Sequence, residues 1–151
     1  MKIVMGCDHQ GYSLKLELAK MLESMGHQIC DIGTHGRERT DYPFFGRAAA
    51  EKVVSGEADR AVLVCGTGFG ISLAANRICG VRCVNCSDIY TALLSRQHND
   101  SNAIALGANV VGAELAKMIV RTWIDGEFEG GRHAKRITMI EDCAQHNNAQ
   151  F

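Results

Sequence analysis

A cysteine followed by a glycine-rich turn is the pattern with the clearest chemical potential in this sequence. An apolar, strand-like run leads into Cys65, and three glycines follow at alternate positions: Gly66, Gly68 and Gly70. Glycines let the backbone turn consecutive N–H groups toward one point, and a helix predicted to begin at Ile71 favours negative charge there. Most buried cysteines only fill space. The loop nevertheless predicts that Cys65 acts as a thiolate beside an anion-binding site.

The other cysteines are predicted to have no chemical role. Cys83 and Cys86 have the spacing of redox and zinc motifs, but residues three apart in a strand point to opposite faces of the sheet. The sequence has no second pair of matching spacing to complete a zinc site. The total of seven cysteines is odd, which fits a reducing compartment better than a disulfide framework. We therefore expect a cytoplasmic protein with free thiols and no metal site.

Length, charge and hydropathy exclude several function classes. The chain has 151 residues, enough for one domain, and its formal net charge is -1 with a pI near 6.6. This balance gives no electrostatic reason to expect nucleic acid or an anionic membrane as a partner. The sequence reaches Asp8 and His9 too early for a signal peptide, and no apolar run approaches membrane-spanning length. We expect a soluble protein.

Short apolar runs alternate with helix-length periodic segments along the chain. Such alternation predicts an α/β protein, a parallel sheet with helices on both faces. The predicted strands are residues 2–7, 28–32, 61–65, 81–86 and 103–106. The predicted helices are residues 14–25, 43–55, 71–78, 88–96, 112–124 and 132–143. We expect one domain over residues 1–151, with a loose polar tail at about 146–151.

Ligands of such sheets bind beyond the carboxyl ends of the strands, so polar residues at those ends are candidates for one site. They are Asp8, His9, Cys65, Thr67, Ser87 and Asp88, joined by His98 and Asn99 in a loop that enters the fifth strand. A histidine can equally be a core or a surface residue. The Asp and Asn neighbours of His9 and His98 favour a functional role. We expect these groups to converge on one small polar ligand.

Two chemistries compete for this set of residues. A thiolate beside backbone donors, with an Asp-His pair and a further His, suits proton transfer at a carbon next to a carbonyl, through an enediolate. Hydrolysis through a covalent thioester is the alternative, because Cys and His also form a nucleophile–base pair. A cysteine phosphatase would have arginine at the position of Ile71, and a dinucleotide-binding loop would have glycine there. Asp88 does lie near the spacing of a ribose-binding acid, which keeps that weaker alternative open.

Arg132 and Arg136 stand one helical turn apart and are candidates for a phosphate clamp. A solvated basic face is the ordinary alternative, and the spacing leaves both open. The adjoining His133 is expected to be merely exposed. Tyr42 precedes Pro43 and either lines a sugar pocket or packs at a helix start.

Taken together, the motifs resemble the type B ribose-5-phosphate isomerases and their galactose-6-phosphate isomerase relatives almost end to end. The segments that carry the resemblance are Gly6-Cys-Asp-His9, Asp31-Ile-Gly-Thr34, Arg39-Thr-Asp-Tyr-Pro43, Cys65-Gly-Thr-Gly-Phe-Gly-Ile-Ser72, Ala74-Ala-Asn76, Ser95-Arg-Gln-His-Asn-Asp100 and Glu129-Gly-Gly-Arg-His133. The resemblance implies a single-domain, Rossmann-like three-layer sandwich with a five-stranded parallel sheet. It also implies aldose–ketose isomerisation of a sugar phosphate without cofactor or metal. The implied assembly is a homodimer, or a tetramer, with sites shared between subunits.

The resemblance further implies a role for each candidate residue. Cys65 would move a proton between C1 and C2, and the amides of Gly66, Gly68 and Gly70 would hold the enediolate oxygens. His98, assisted by Asp8 and Thr67, would open the furanose ring. Asn99 would bind hydroxyl groups or stabilise the intermediate. His9, Arg132 and Arg136 would hold the phosphate, with the arginines reaching in from the partner chain.

Two positions bear on the substrate and the branch of the family. Asn109 stands where the family commonly has an arginine that helps to bind phosphate, which predicts weaker binding of ribose 5-phosphate or a different sugar. A second branch replaces the cysteine base by a glutamate after the glycine loop; Cys65 and Ile71 indicate the cysteine branch. The default reaction is ribose 5-phosphate to ribulose 5-phosphate. Allose 6-phosphate, galactose 6-phosphate or a tetrose phosphate, and a noncatalytic sugar-phosphate-binding subunit, are the alternatives.

Overall fold

The computed structural model of the chain describes the backbone of residues 1–145 and the side chains of residues 1–142. The predicted loose tail, residues 146–151, lies outside the described residues. The elements in chain order are β1 (Lys2–Cys7), α1 (Tyr12–Ser24), β2 (Gln28–Asp31), α2 (Tyr42–Val54), β3 (Arg60–Cys65), α3 (Phe69–Ala75), β4 (Cys83–Asn85), α4 (Ile89–Asn99), β5 (Ala103–Gly107), α5 (Ala113–Asp125) and α6 (Arg132–Gln145).

The five strands form one parallel sheet in the order β2-β1-β3-β5-β4. The predicted α/β fold is therefore confirmed. From β1 the chain first moves to β2 on one side and then to β3 on the other, so the strand order reverses between β1 and β3. Ligands of open parallel sheets bind in the crevice at such a reversal. Cys7 pairs with Val64 in the register of the two strands, which brings Asp8 and Cys65 to the same edge.

Two apolar cores cover opposite faces of the sheet, because side chains alternate between faces along a strand. Ile3 packs in one core with Trp123, and its neighbour Val4 packs in the other with Ile71. Strands that are buried on both faces have continuous apolar runs, which explains why the central strands could be located from the sequence. Within the described residues, no helix is both long enough and apolar enough to cross a membrane.

The edge strand β4 is shorter than predicted and covers Cys83–Asn85 instead of 81–86. Side chains satisfy the backbone before and at its first residue. The Asn76 side chain accepts from the Cys83 N–H and donates to the Cys83 carbonyl, both at 2.8 Å. The Arg82 N–H donates to the Asn102 side chain at 2.8 Å. Apolar content cannot reveal such substitutes for ladder hydrogen bonds.

The helix after the glycine loop begins earlier than predicted, at Phe69 instead of Ile71. Gly68 precedes it in a left-handed conformation with φ of 80°. Gly70 therefore lies in the first turn of α3 and not in the loop. The run of free loop amides is shorter than the sequence suggested.

Helix α4 is longer than predicted and runs to Asn99 instead of Arg96. Asp100 ends it in a left-handed conformation with φ of 44°. The buried Arg96 guanidinium donates to the Asp100 carboxylate and to the Ser101 carbonyl, both at 2.7 Å, which fixes this turn. His98 and Asn99 consequently lie in the last turn of a helix, and the prediction that a loop carries them is corrected.

Gly46 lets α2 pack closely on α3. A Cβ atom at Gly46 would lie 2.6 Å from the Ile71 carbonyl oxygen and 3.1 Å from the Ala74 Cβ atom. Overpacking of this kind costs about 1–3 kcal/mol, more than the roughly 0.5–1 kcal/mol that alanine gains over glycine inside a helix.

We expect Gly46→Ala to lower the free energy of unfolding, measured by urea denaturation. Gly36→Ala is the control, because no atom lies within 4 Å of its Cβ position; its effect should stay within about 0.5 kcal/mol. Equal stability of the Gly46→Ala protein and the parent would contradict the close packing.

Candidate active site

A cleft opens beyond the carboxyl ends of β1 and β3, where the strand order reverses. Its volume is about 410 Å³, within the range of small-ligand sites. It is lined by Asp8, His9, Gln10, Arg39, Thr40, Asp41, Tyr42, Cys65, Gly66, Thr67, Gly70 and Asn109. Seven of the residues predicted from the sequence are among them. The turns after β1 and β3 and the loop between β2 and α2 supply most of this lining.

Cys65 ends β3, and its thiol lies under the glycine turn. The residue is 3% exposed, and the Gly68 N–H donates to its Sγ atom at 3.1 Å. An N–H donor aimed at sulfur suits a thiolate, because hydrogen bonds to charged groups are the stronger ones. The positive φ of Gly68 turns this N–H inward, and a Cβ atom there would lie 2.5 Å from the Asn85 side chain. Glycine is therefore required at this position on two grounds.

Tyr42 and Gly70 meet at the wall of the cleft. Tyr42 is the first residue of α2 and is 39% exposed. A Cβ atom at Gly70 would collide with the Tyr42 ring. Tyr42 thus both starts a helix and lines the cleft, so the two alternatives left open by the sequence hold together. The absence of a side chain at Gly70 leaves space for the Tyr42 ring.

Asp8 holds the turn that carries His9. Its Oδ1 atom accepts from the N–H groups of Gln10 and Gly11, both at 3.0 Å, and the residue is 5% exposed. A Cβ atom at Gly11 would lie 2.6 Å from the Val64 carbonyl oxygen, so this turn presses directly against β3. The carboxylate is therefore fixed beside the end of the strand that bears Cys65.

The loop between β2 and α2 forms the opposite wall and fixes His9. The Nδ1 atom of His9 lies 3.3 Å from both the backbone nitrogen and the carbonyl oxygen of Thr40. The fully buried Lys15 anchors the start of this loop, because its Nζ atom donates to the Asp31 carboxylate at 2.7 Å and to the Thr34 carbonyl at 2.9 Å. A buried lysine needs such partners to keep its charge.

Sequence reasoning missed five polar residues of the cleft as site residues, which are Gln10, Arg39, Thr40, Asp41 and Asn109. Arg39 is an exposed cation in its lining, and the Asn109 side chain donates to Gln10 Oε1 at 3.0 Å. Arg39 belongs to a motif used above only to establish the resemblance, and that motif was the available signal. No spacing rule pointed to Gln10, which shares a turn with Asp8. Asn109 occupies the place of a missing arginine and still faces the cleft.

Gly68 lies over the Cys65 thiol beside the cleft, and the other four candidates form a second group that does not line it. They are His98 and Asn99 at the end of α4, and Arg132 and Arg136 in the first turns of α6. Both arginines are exposed and stand one turn apart. The two elements are tied together, since the Glu129 N–H donates to the Gln97 carbonyl at 3.0 Å. Within one chain, the expected convergence on a single ligand is thus only partial.

His133 differs from the sequence expectation, because it is buried at 5% exposure. Its ring stacks on that of His98, with centroids 4.2 Å apart and planes 3° from parallel. Its Nε2 atom is buried and has no hydrogen-bond partner among the residues that the structure describes. Burial lowers the pKa of His133 from its ordinary value of 6.5; positive charge on His98 and on the two α6 arginines acts in the same direction, and Glu129 opposes it. His133 is accordingly a neutral imidazole at neutral pH.

The same cluster has the composition of a metal site but not the geometry. Ligand atoms of His98, Glu129 and His133 lie within 4.8 Å of one another. A metal ion binds an imidazole nitrogen along its lone pair, in the plane of the ring. The two rings are stacked 3° from parallel, so one ion cannot lie in both planes. The cluster as arranged gives no support to a metal.

Two groups outside the site have structural explanations. Asp88 caps α4, because its Oδ1 atom accepts from the Thr91 N–H at 2.8 Å, so the ribose-binding alternative gains no support. Cys83 and Cys86 belong to opposite cores, as their spacing predicted. Burial raises the pKa of Cys83 to about 12 and that of Cys7 to about 11. These two thiols remain protonated at neutral pH.

Comparison with known proteins establishes the family. A family model described as Ribose/Galactose Isomerase matches residues 3–140. The chain belongs to the ribose/galactose isomerase family. Within it, ribose-5-phosphate isomerase B of Escherichia coli K12 is 50% identical over 147 residues, which cover 97% of this chain and 99% of that protein. The galactose-6-phosphate isomerase subunit LacB of Clostridium acetobutylicum is 38% identical over 152 residues, covering 100% of this chain and 88% of that one.

A solved structure from the same family confirms the fold. Ribose-5-phosphate isomerase B of Clostridium thermocellum superposes with a TM-score of 0.95 at 52% identity, covering 96% of this chain and 98% of that one. The resemblance inferred from the motifs is therefore confirmed. So is the enzyme class, a sugar-phosphate isomerase.

Gly68→Ala tests whether the N–H above the thiol matters for activity. The alanine would strain a left-handed backbone and push on Asn85, which moves the N–H away from Sγ. Loss of one preorganised donor to developing negative charge costs about 100-fold to 1,000-fold in rate, so we expect kcat/KM for isomerisation to fall by roughly that factor. Steady-state kinetics measure it.

Gly26→Ala is the matched control for this substitution. Gly26 also has a positive φ, 84°, but no atom lies within 4 Å of its Cβ position at the end of α1. The Gly26→Ala substitution strains a left-handed backbone by a similar amount, about 1–2 kcal/mol, at a position outside the cleft. Its kcat/KM should stay within about 2-fold of the parent. Equal losses in both variants would show that the effect is one of stability alone.

Proposed function

We propose that this protein interconverts ribose 5-phosphate and ribulose 5-phosphate through ring opening and a cis-enediolate. The observation that carries the proposal is the Cys65 thiol under the Gly68 N–H, 3.1 Å away, in a cleft large enough for a pentose phosphate. Membership of the ribose/galactose isomerase family supports the reaction class. The E. coli and C. thermocellum relatives, both named for ribose 5-phosphate, support the sugar.

Ring opening is the first step, since an aldose phosphate is mainly a furanose in water. The C1 hydroxyl loses a proton, the bond between C1 and the ring oxygen breaks, and that oxygen gains a proton. His98 acts as the acid–base group, with Asp8 and Thr67 on the cleft side to orient the anomeric hydroxyl. A histidine suits this role because its ordinary pKa lies near neutral pH.

Proton transfer between carbons is the second step. The Cys65 thiolate takes the proton from C2 of the open aldehyde, and the electron pair forms the C1–C2 double bond, leaving negative charge on O1. A proton passes from O2 to O1, and the Cys65 thiol returns its proton to C1, which leaves a ketone at C2. The N–H groups that follow Cys65, from Gly66 into the first turn of α3, stabilise the enediolate oxygens. C1 is reduced and C2 is oxidised within one molecule, so the reaction needs no cofactor.

The phosphate requires cations and hydrogen-bond donors in the cleft. Arg39 supplies a guanidinium in the lining, and His9 lies in the same lining in a fixed orientation. Arg132 and Arg136 add two more on one face of α6, where each can bind phosphate through two N–H groups. Asn99 supplies hydrogen bonds to the sugar hydroxyls.

A homodimer with shared sites explains why the candidate site residues of one chain lie in two separate groups. An isologous dimer lets the α4–α6 group of each chain complete the Cys65 cleft of the other. An apolar groove between α2 and α3 adjoins the cleft and shares Tyr42 and Gly70 with it. Phe44, Phe69 and Leu73 on these helices are 74%, 65% and 63% exposed. Exposed apolar clusters of this kind mark interaction surfaces. We place this single-domain enzyme in the cytoplasm, where its thiols stay reduced.

The identity of the sugar substrate has competing alternatives. The LacB relative is named as a subunit of a galactose-6-phosphate isomerase, which keeps a hexose phosphate or a role as one of two unequal subunits as alternatives. Asn109 favours neither the pentose nor the hexose phosphate. It contacts Gln10 in the cleft and is neutral, so it adds no cation for the phosphate of either sugar.

Turnover of a panel of aldose phosphates of four to six carbons, by chelator-treated protein, tests this function. We expect ribose 5-phosphate to have the highest kcat/KM. Cys65→Ala should lower it by about 10²-fold to 10⁴-fold, because the group that moves the proton is gone, while ligand binding persists. Cys79→Ala is the matched control, because this cysteine is exposed and does not line the cleft; it should retain full activity.

Each other outcome changes a different part of the proposal. Preference for a hexose or tetrose phosphate would overturn the substrate and keep the mechanism. Full activity of the Cys65→Ala protein would overturn the assignment of the base. Binding without turnover in the parent would indicate a noncatalytic subunit.

A further inference from the structure

His133 is a buried histidine that the mechanism above does not use. It lies in the first turn of α6 at 5% exposure, and its face covers the ring of His98 at a centroid distance of 4.2 Å. Most residues around it are exposed, including Arg132 and Arg136 on the same helix. Burying an imidazole whose Nε2 atom has no hydrogen-bond partner among the described residues costs free energy, so the burial of His133 calls for a physical reason.

We propose that His133 is a positioning residue, which fixes the ring plane of His98 by stacking and so aims His98 for the ring-opening proton transfer. This inference rests on the role of His98 in the function proposed above. His133 does not touch the substrate in this account. It acts only through the histidine that it covers.

The surroundings of His98 show why its ring needs such support. The His98 side chain is 33% exposed in the last turn of α4. Its Nε2 atom lies 4.0 Å from the nearer Glu129 oxygen, beyond hydrogen-bond distance. Within residues 1–142, whose side chains are described, no hydrogen bond through this atom fixes the ring, whereas the stack with His133 fixes its plane. A proton donor that is misplaced by about 1 Å can lose about 100-fold in rate.

The charge state of His133 suits this role. Burial and the nearby cations of His98, Arg132 and Arg136 keep His133 neutral, against the weaker opposing effect of Glu129. Two stacked imidazoles do not both hold a proton, because the second would repel the first. A neutral His133 face tolerates a proton on the stacked ring during ring opening, because a neutral aromatic face attracts a cation.

The two directions of the reaction separate positioning from general structural damage. Ribose 5-phosphate reaches Cys65 only after ring opening. Ribulose 5-phosphate carries its phosphate on O5 and cannot close a five-membered ring, so it binds as an open chain. Exchange of its C1 proton with deuterated solvent requires Cys65 but not ring opening, and proton NMR measures it.

We expect His133→Ala to lower kcat for ribose 5-phosphate by about 10-fold to 100-fold, with C1 exchange of ribulose 5-phosphate within about 3-fold of the parent. His133→Phe should keep kcat within about 5-fold, because it retains a flat ring and gives up no hydrogen bond at Nε2. Should the alanine variant fail to fold, His133→Leu, which fills the space without a flat face, replaces it with the same expectation.

The contrary results are distinct. Equal loss of both reactions in His133→Ala or His133→Leu, or unchanged kcat, would overturn the positioning role while the proposed function stands. A parent protein that catalyses neither reaction would overturn the proposed function, and this inference with it. Cys65→Ala should abolish both reactions and sets the baseline.

Discussion

The hydrogen bond from the Gly68 N–H to the Cys65 sulfur, 3.1 Å long, is the contact on which the site depends. It requires a strand that ends at the reversal of strand order and a residue at position 68 that tolerates a positive φ. It also requires that α3 begin at once, at Phe69, so that the loop cannot relax away from the thiol. The close approach of Gly46 to the Ile71 carbonyl holds α3 against α2 and thereby fixes the loop. Packing far from the sulfur thus sets the direction of one N–H group.

The second constraint is that the candidate site residues of one chain lie in two separate groups. The cleft has a thiol, backbone donors and the carboxylates of Asp8 and Asp41, but His98 and the paired arginines lie elsewhere. In the homodimer that we propose, the stack of His98 on His133 keeps the second group ordered before it meets the first. Pre-ordering both halves lowers the entropy lost when they combine. Exposed apolar residues beside the cleft provide the surface on which the halves can meet.

The sequence predicted those features that depend on local composition. Strands β1, β3 and β5 are continuous apolar runs because they are buried on both faces, and Cys65 was found through the glycines beside it. The misplaced features depend on side chains distant in sequence. The start of β4 is set by Asn76 and Asn102, and the end of α4 by the link from Arg96 to Ser101. The burial of His133 depends on the packing of α6 against α4, which helical spacing cannot reveal.

Mixing two inactive variants tests the central claim, that each site is built from two chains. Cys65→Ala lacks the base, and Arg136→Ala lacks a phosphate ligand in the other half. In a mixed dimer one site combines both defects, and the other combines an intact cleft with an intact Arg136. Random re-association makes about half of the dimers mixed, so activity should rise to about a quarter of the parent value. Activity that stays at the mean of the two separate variants, with mixed dimers demonstrated by native mass spectrometry, would contradict the account.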